Sequence, residues 1–141
     1  MPLKYAYHPG NVAHSSAPEV ADTMPTACRS LGIELIPLDG ATSCGAGIIR
    51  QANDFLQITL NARTLAMAES MGLDVITPCA ATAGNMHEDL ARLRNDPLLL
   101  AKTNGVLLRT TGFTLKGEAN VHHLLHVIVD EVGLDKVESK V

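Results

Sequence analysis

The sequence predicts an α/β fold: a single domain of three or four parallel strands with flanking helices. Three observations predict it. Short apolar runs bounded by glycine and proline recur along the chain, at Lys4–Pro9, Ile33–Leu38 and Leu73–Pro78. Stretches of helical length and period separate them. The composition is that of a packed globule, 46% hydrophobic and 18% charged over 141 residues. Strands separated by helices of this length pair in parallel through right-handed crossovers.

Each element has its own local reason. KYAYHP (Lys4–Pro9) alternates and stops at Pro9-Gly10, as a first strand does. Ser16-Ala17-Pro18-Glu19 has the spacing of a capping box, with Ser16 and Glu19 serving each other's backbone N–H groups. The helix it opens is expected to kink at Pro25, which lacks a donor, and to run to Leu31 before Gly32. Ile33–Leu38 is the second strand, closed by Asp39-Gly40. The loop Ala41–Gly47 consists of small residues with two glycines, which allow a sharp turn or a close backbone approach. From Arg50 to Met71 the spacing of Leu56, Leu60, Thr64, Met67 and Met71 predicts one helix with those residues on its buried face.

Gly72 ends that helix and Leu73–Pro78 is the third strand. Ala81–Leu93 and Leu98–Leu108 are two helices parted by Asn95-Asp96-Pro97. A turn through Lys116-Gly117 leads to a short strand at Asn120–His122. A last helix is expected to bury Leu124, Leu125, Ile128 and Val132 and to stop at Gly133. The domain spans residues 1–135, with 136–141 as a tail.

Composition also excludes functions. A net charge of -4 argues against a phosphate-binding surface, and two Tyr, two Phe and no Trp supply few stacking platforms for nucleic-acid bases. No run approaches the ~18 apolar residues of a membrane span. The stretch MPLKYAYHPG is too polar, and too soon broken by Pro-Gly, for a signal peptide. Three cysteines do not make a secreted disulfide scaffold, so a cytoplasmic location with reduced thiols is expected.

In parallel sheets, ligands gather beyond the carboxyl ends of the strands. Pro9-Gly10-Asn11, Ser43-Cys44-Gly45 and Cys79 all fall there, which brings two thiols to one edge. Cys79 also lies near a helix N-terminus, whose partial positive charge favours thiolate. Three residues beyond it, where a second cysteine would complete a CxxC, stands Thr82. Cys28 falls late in a helix and is read as a small buried hydrophobe.

These positions carry a family resemblance. YAYHPGN, LDGATSCGAG and LDVITPCAAT, together with LGIEL at Leu31, LNARTLAMAESMGLDVITPC from Leu60 and VHHLLHVIVDEVG from Val121, resemble the cysteine-rich CCG domains of the B-type subunit of heterodisulfide reductase and its relatives. Those relatives include iron-sulfur subunits of some succinate dehydrogenases and of glycolate and lactate oxidases. The family pattern is a Cys after Pro-Gly, then Cys-Cys-Gly, then Cys-x-x-Cys, in two tandem domains. The resemblance implies that five cysteines hold a noncubane [4Fe-4S] pair, or a zinc in some copies. Here only Cys44 and Cys79 remain, and Asn11, Ser43 and Thr82 occupy the other three positions. Hydroxyl and amide groups are poor ligands for such a cluster, so no cofactor is expected with this sequence. Zinc would have to recruit histidines such as His8, His14 or His123.

The remaining residues are read more plainly. His122, His123 and His126 look like a cluster only if residues 122 and 126 share a helix face, and are assigned to surface or structural roles. Arg63 is expected to form a helix-surface salt bridge rather than to neutralise a ligand. SCGAG lacks the flanks of a hydrolase nucleophile elbow. The functional expectation is a heterodisulfide-reductase-like subunit or domain in thiol/disulfide or sulfur-linked electron transfer. Its catalytic residues are Cys44 and Cys79, in a degenerate site with Asn11, Ser43, Gly45 and Thr82. Its partners are iron-sulfur or flavin subunits of a redox complex, or a second copy of the chain. The alternatives are a cofactor-free scaffold that docks iron-sulfur partners and a pocket that binds an anion or thiol compound without chemistry.

Overall fold

The computed structural model describes residues 2–141, the side chain of His14 excepted. Strand β1 (Leu3–Tyr7) leads through a single 3-10 turn at Val12–His14 to α1 (Pro18–Ser30) and β2 (Ile33–Pro37). Helices α2 (Ile48–Ala52) and α3 (Asp54–Ser70) precede β3 (Val75–Thr77). Helices α4 (Ala80–Asn95) and α5 (Pro97–Thr111) precede β4 (Val121–His123), α6 (Leu124–Val127), a π-helical turn at Ile128–Val132 and α7 (Leu134–Glu138). The four strands form one all-parallel sheet in the order β2-β1-β3-β4, as the alternation of strands and helices predicts.

Both faces of the sheet are covered, because neighbouring strand residues point to opposite sides. Ala6 and Val75 face one core cluster with Ile58, Leu65, Met86 and Leu107 from α3, α4 and α5. Tyr5 and Ile76, their chain neighbours, face the other with Met24, Cys28 and Val127. Since β2 lies on one side of β1 and β3 on the other, the connections part company between β1 and β3. A crevice opens at such a switch point, at the carboxyl ends of the strands.

Several local expectations are corrected. The capping box does not form: the N-cap is Ala17, with no side-chain cap. Pro18 at the first helical position drives its predecessor out of helical geometry, so the boundary falls one residue after Ser16. The single helix from Arg50 to Met71 is two, because Asn53 is extended and its side chain caps α3, accepting from the Leu56 N–H at 3.0 Å.

The buried face of α3 also differs from the expected one. Thr64 and Met67 are buried as expected, but Leu56 and Met71 are exposed, and Gln57 and Asn61 are fully buried beside Ile58 and Leu65. At the last helix Val127 is buried and Leu125 is 61% exposed. One α-turn passes there into a π-turn, closed by the Gly133 N–H on the Ile128 carbonyl at 2.9 Å, which shifts the helical phase. Helix α7 overlaps the residues read as a tail, and its Val137 packs on the second cluster. Among the described residues no helix is long and apolar enough to cross a membrane.

Candidate functional site

The loops after β1, β2 and β3 converge at the switch point. His8 organises the first: its Nδ1 accepts the Gly10 N–H at 3.1 Å, which leaves the proton on Nε2 to donate to the Thr42 carbonyl at 2.8 Å. The ring thereby ties the first loop to the second. Gly10 has φ +80°, and a Cβ there would sit 2.5 Å from Cys79 Cβ and 3.3 Å from its Sγ. Only glycine fits, and the first loop therefore lies directly against Cys79.

The predicted site residues meet one another. Asn11 Nδ2 donates to Ser43 Oγ at 2.8 Å, and Ser43 Oγ also accepts the Gly45 N–H at 3.1 Å. Thr82 Oγ1 donates to Cys44 Sγ at 3.5 Å. Cys79 is the N-cap residue of α4, as its place after the third strand predicts. The two thiols differ in access: Cys44 is 1% exposed and Cys79 is partly exposed, and neither is in a disulfide. Asn11 and Ser43 are exposed at the mouth, and on their outer side a cleft of about 500 Å³ runs past Gly10, Thr42 and Asp39.

Behind the Cys44 loop stands a polar centre that the apolar pattern hides. Asp89, fully buried on α4, accepts from Asn61 Nδ2 at 2.7 Å and from Gln57 Nε2 at 3.1 Å. Its other oxygen faces Arg50 at 3.2 Å and Arg92 at 3.7 Å, so the buried charge is balanced from the surface side. Asn61 Nδ2 also donates to the Cys44 carbonyl at 3.1 Å. A chain of contacts thus runs from the surface arginines through Asp89 and Asn61 to the cysteine backbone. Gly45, at φ +72°, completes the fit, since a Cβ there would come within 3.2 Å of Gln57 and Ile49. The sequence signal for this centre is LQITLNARTLAMA, which holds one charged residue and therefore marks a helix buried on most sides.

Other candidates fall outside the site. Cys28 is 1% exposed in the second cluster, and burial pushes its thiol pKa up, as an inert core sulfur requires. Arg63 forms no helix-surface ion pair among the described residues; it donates to the Gly40 carbonyl at 2.7 Å and holds the turn after β2. His122 lies in β4, not on a helix, and its Nε2 meets Asp74 at 3.1 Å. His123 caps α6 by accepting the Leu125 N–H on Nδ1 at 3.3 Å, and its Nε2 donates to the Pro78 carbonyl at 3.1 Å. His14's side chain lies outside the described residues.

The CCG cysteine-rich domain profile matches residues 5–86, and the chain belongs to this family. It is 28% identical over 131 residues to the B-type subunit of the ferredoxin/F(420)H(2)-dependent CoB-CoM heterodisulfide reductase of Methanosarcina acetivorans, covering 92% of this chain and 43% of that protein. It is 29% identical to a protein of Archaeoglobus profundus named for its likeness to the same type of heterodisulfide reductase subunit, over 99% of this chain and 46% of that one. To the 8-methylmenaquinol:fumarate reductase membrane anchor subunit of Wolinella succinogenes it is 30% identical, over 100% of this chain and 48% of that one. The chain therefore spans under half the length of each of these curated relatives. The crystal structure of a hypothetical protein from Helicobacter pylori has the same fold, with a TM-score of 0.79 at 16% identity, over 91% of this chain and 25% of that one.

The side chains here do not fit the five-thiolate cluster that the resemblance implies. Of the three replaced positions, Asn11 and Ser43 are bonded to each other, and Thr82 is bonded to one of the two remaining sulfurs. A soft metal cluster needs thiolates at these places. Both ring nitrogens of His8 and of His123 face backbone groups, and among the described residues no group of three or more His, Cys, Asp and Glu side chains is placed to hold a metal ion.

Proposed function

We propose that this chain is a heterodisulfide-reductase-like redox subunit or domain that works through Cys79 and Cys44 as a dithiol, in thiol/disulfide or sulfur-linked electron transfer. One observation carries the reading. Thr82 Oγ1 is bonded to Cys44 Sγ, and the loop at Gly10 lies so close to the start of α4 that an added Cβ there would stand 2.5 Å from Cys79 Cβ and 3.6 Å from Thr82 Oγ1, so the two cysteines kept from the five-cysteine pattern are gathered at the same switch point. Their unequal exposure supports an order of events. Cys79 thiolate attacks one sulfur of an external disulfide and releases the first thiol, leaving a mixed disulfide. Cys44 then attacks Cys79 Sγ and releases the second thiol. Two protein thiols become one Cys44–Cys79 disulfide, and the external disulfide becomes two thiols. An iron-sulfur or flavin subunit returns the two electrons in a cytoplasmic complex. Relatives bearing the names of redox-complex subunits support that partnership.

Protein purified without oxygen, after growth with iron and zinc, is assayed for both metals and for sulfide. It is then treated with a small disulfide and digested for mass spectrometry. The reading expects no stoichiometric iron or sulfide and a Cys44–Cys79 cross-link. Stoichiometric iron and sulfide would return the cluster mechanism. A mixed disulfide that stays on Cys79 would end the dithiol reading in favour of the cofactor-free scaffold. The Asn11–Ser43 bond favours that second reading, because it joins two loops without a metal. A scaffold that docks iron-sulfur partners keeps complex assembly and activity with both Cys44→Ser and Cys79→Ser.

A further inference from the structure

We infer that Thr82 is a positioning residue whose hydroxyl holds Cys44 as a hydrogen-bonded sulfur acceptor, in the place where a CxxC would put its second thiol. The inference rests on the dithiol reading only for its consequence in turnover. The habit of five of the chain's other helical threonines makes the contact informative. Thr23, Thr59, Thr64, Thr110 and Thr111 each donate to the helical carbonyl four residues back, at 2.7 to 3.3 Å. That local bond is the ordinary resting place of a helical threonine hydroxyl.

Thr82 departs from the habit for reasons visible in the fold. It lies in the first turn of α4, so the carbonyl four residues back belongs to Pro78, before the helix begins. That carbonyl accepts from His123 Nε2. Gly10 leaves room on the other side, since even an added Cβ there would stand 3.6 Å from Thr82 Oγ1. The hydroxyl is fully buried, and its donor is directed across to Cys44 Sγ, a sulfur from a different loop. Thr82 is therefore aimed at the partner cysteine rather than at Cys79, three residues before it. A hydroxyl that donates to sulfur stabilises negative charge on it and fixes its direction. Both effects serve a buried sulfur that must attack Cys79 from one side.

The test uses the whole chain with Cys28→Ala and Cys79→Ser, so that Cys44 is the one thiol. Thiolate absorbance in the ultraviolet is followed against pH. Thr82→Val is expected to move the midpoint to higher pH by about one unit, the worth of one charge-assisted hydrogen bond, and Thr82→Ser to restore it. An unchanged midpoint in Thr82→Val overturns the inference. If that variant does not fold, the S–H stretching band of Cys44 in the Thr82 protein decides. A band displaced to low frequency, marking Cys44 as donor to Thr82, overturns the assignment. A midpoint that moves, in a protein that forms no Cys44–Cys79 disulfide, upholds Thr82's role while the dithiol function falls.

Discussion

The carboxyl end and the middle of α3 hold two loops by different chemistry. At its carboxyl end Glu69 accepts directly from the backbone N–H groups of Lys116, Glu118 and Ala119, at 2.8, 2.5 and 3.1 Å. Asp74 continues the hold on the Asn120 N–H at 2.7 Å. At its middle the carboxylate, Asp89 of α4, stays off the loop, and the amide of Asn61 reaches the Cys44 carbonyl for it. The direct clamp binds loop backbone into a fixed shape at the end of the sheet where no candidate chemistry lies. The indirect one fixes a single carbonyl and leaves the side chains of Ser43 and Cys44 free to meet Asn11 and Thr82. The difference teaches that the site loop is anchored at one point from behind, while its front is arranged by its neighbours.

The sharpest way to break this contrast is Asp89→Ala. It removes the buried acceptor shared by Gln57 and Asn61 and takes one partner each from Arg50 and Arg92, which keep Glu88 and Asp54, at a cost of about 3–5 kcal/mol by urea unfolding. Modification of Cys44 by a small thiol reagent should accelerate at the same time. Glu69→Ala removes three backbone contacts and should cost about 2–3 kcal/mol without accelerating Cys44. Equal acceleration in the two variants would erase the distinction between the loops.

A smaller effect comes from acid. Burial pushes Asp74 up, but the Asn120 backbone N–H, His122 and the Asn120 side chain outweigh it and hold the pKa below the usual carboxylate range. A pKa lowered by folding contributes stability above the unfolded value of about 3.9 and loses it as pH falls through the folded value. Asp74→Asn should therefore flatten the stability profile below about pH 4, and a profile parallel to that of the unsubstituted protein would remove Asp74 from the clamp. The smallest effect belongs to the exposed mouth. A double-mutant cycle on Asn11→Ala and Ser43→Ala should give a coupling of about 0.5 kcal/mol, and a coupling of zero would mean that the front loops are not joined there.

What is legible in the sequence follows from this division. Strand ends are marked by Gly10, Asp39-Gly40 and Pro78, so Asn11, Ser43, Cys44 and Cys79 fall together on sequence order alone, and Thr82 joins them as the place of a missing CxxC cysteine. The backing is not legible. Gln57 and Asn61 are polar residues four apart, and an apolar-stripe reading assigns them to solvent and puts Leu56 and Met71 inside. Only the carboxylate of Asp89, 28 positions beyond Asn61, makes their burial tolerable, and no local spacing announces a partner at that distance. The split at Asn53 and the π-turn after Val127 escape for a related reason: each changes helical phase through a backbone event that an unbroken period conceals.

The central strand β1 is the first of the four strands to leave the ribosome, yet its neighbour β3 arrives only with Val75–Thr77. The switch-point crevice is therefore assembled from contacts distant in sequence, which close late in folding. Until then all three cysteines are open to oxidants. Closure hides Cys28 and Cys44 and leaves Cys79 alone within reach of solvent. Folding itself thus leaves one sulfur accessible, and the number of sulfurs open to a bulky reagent counts how many newly made chains have finished.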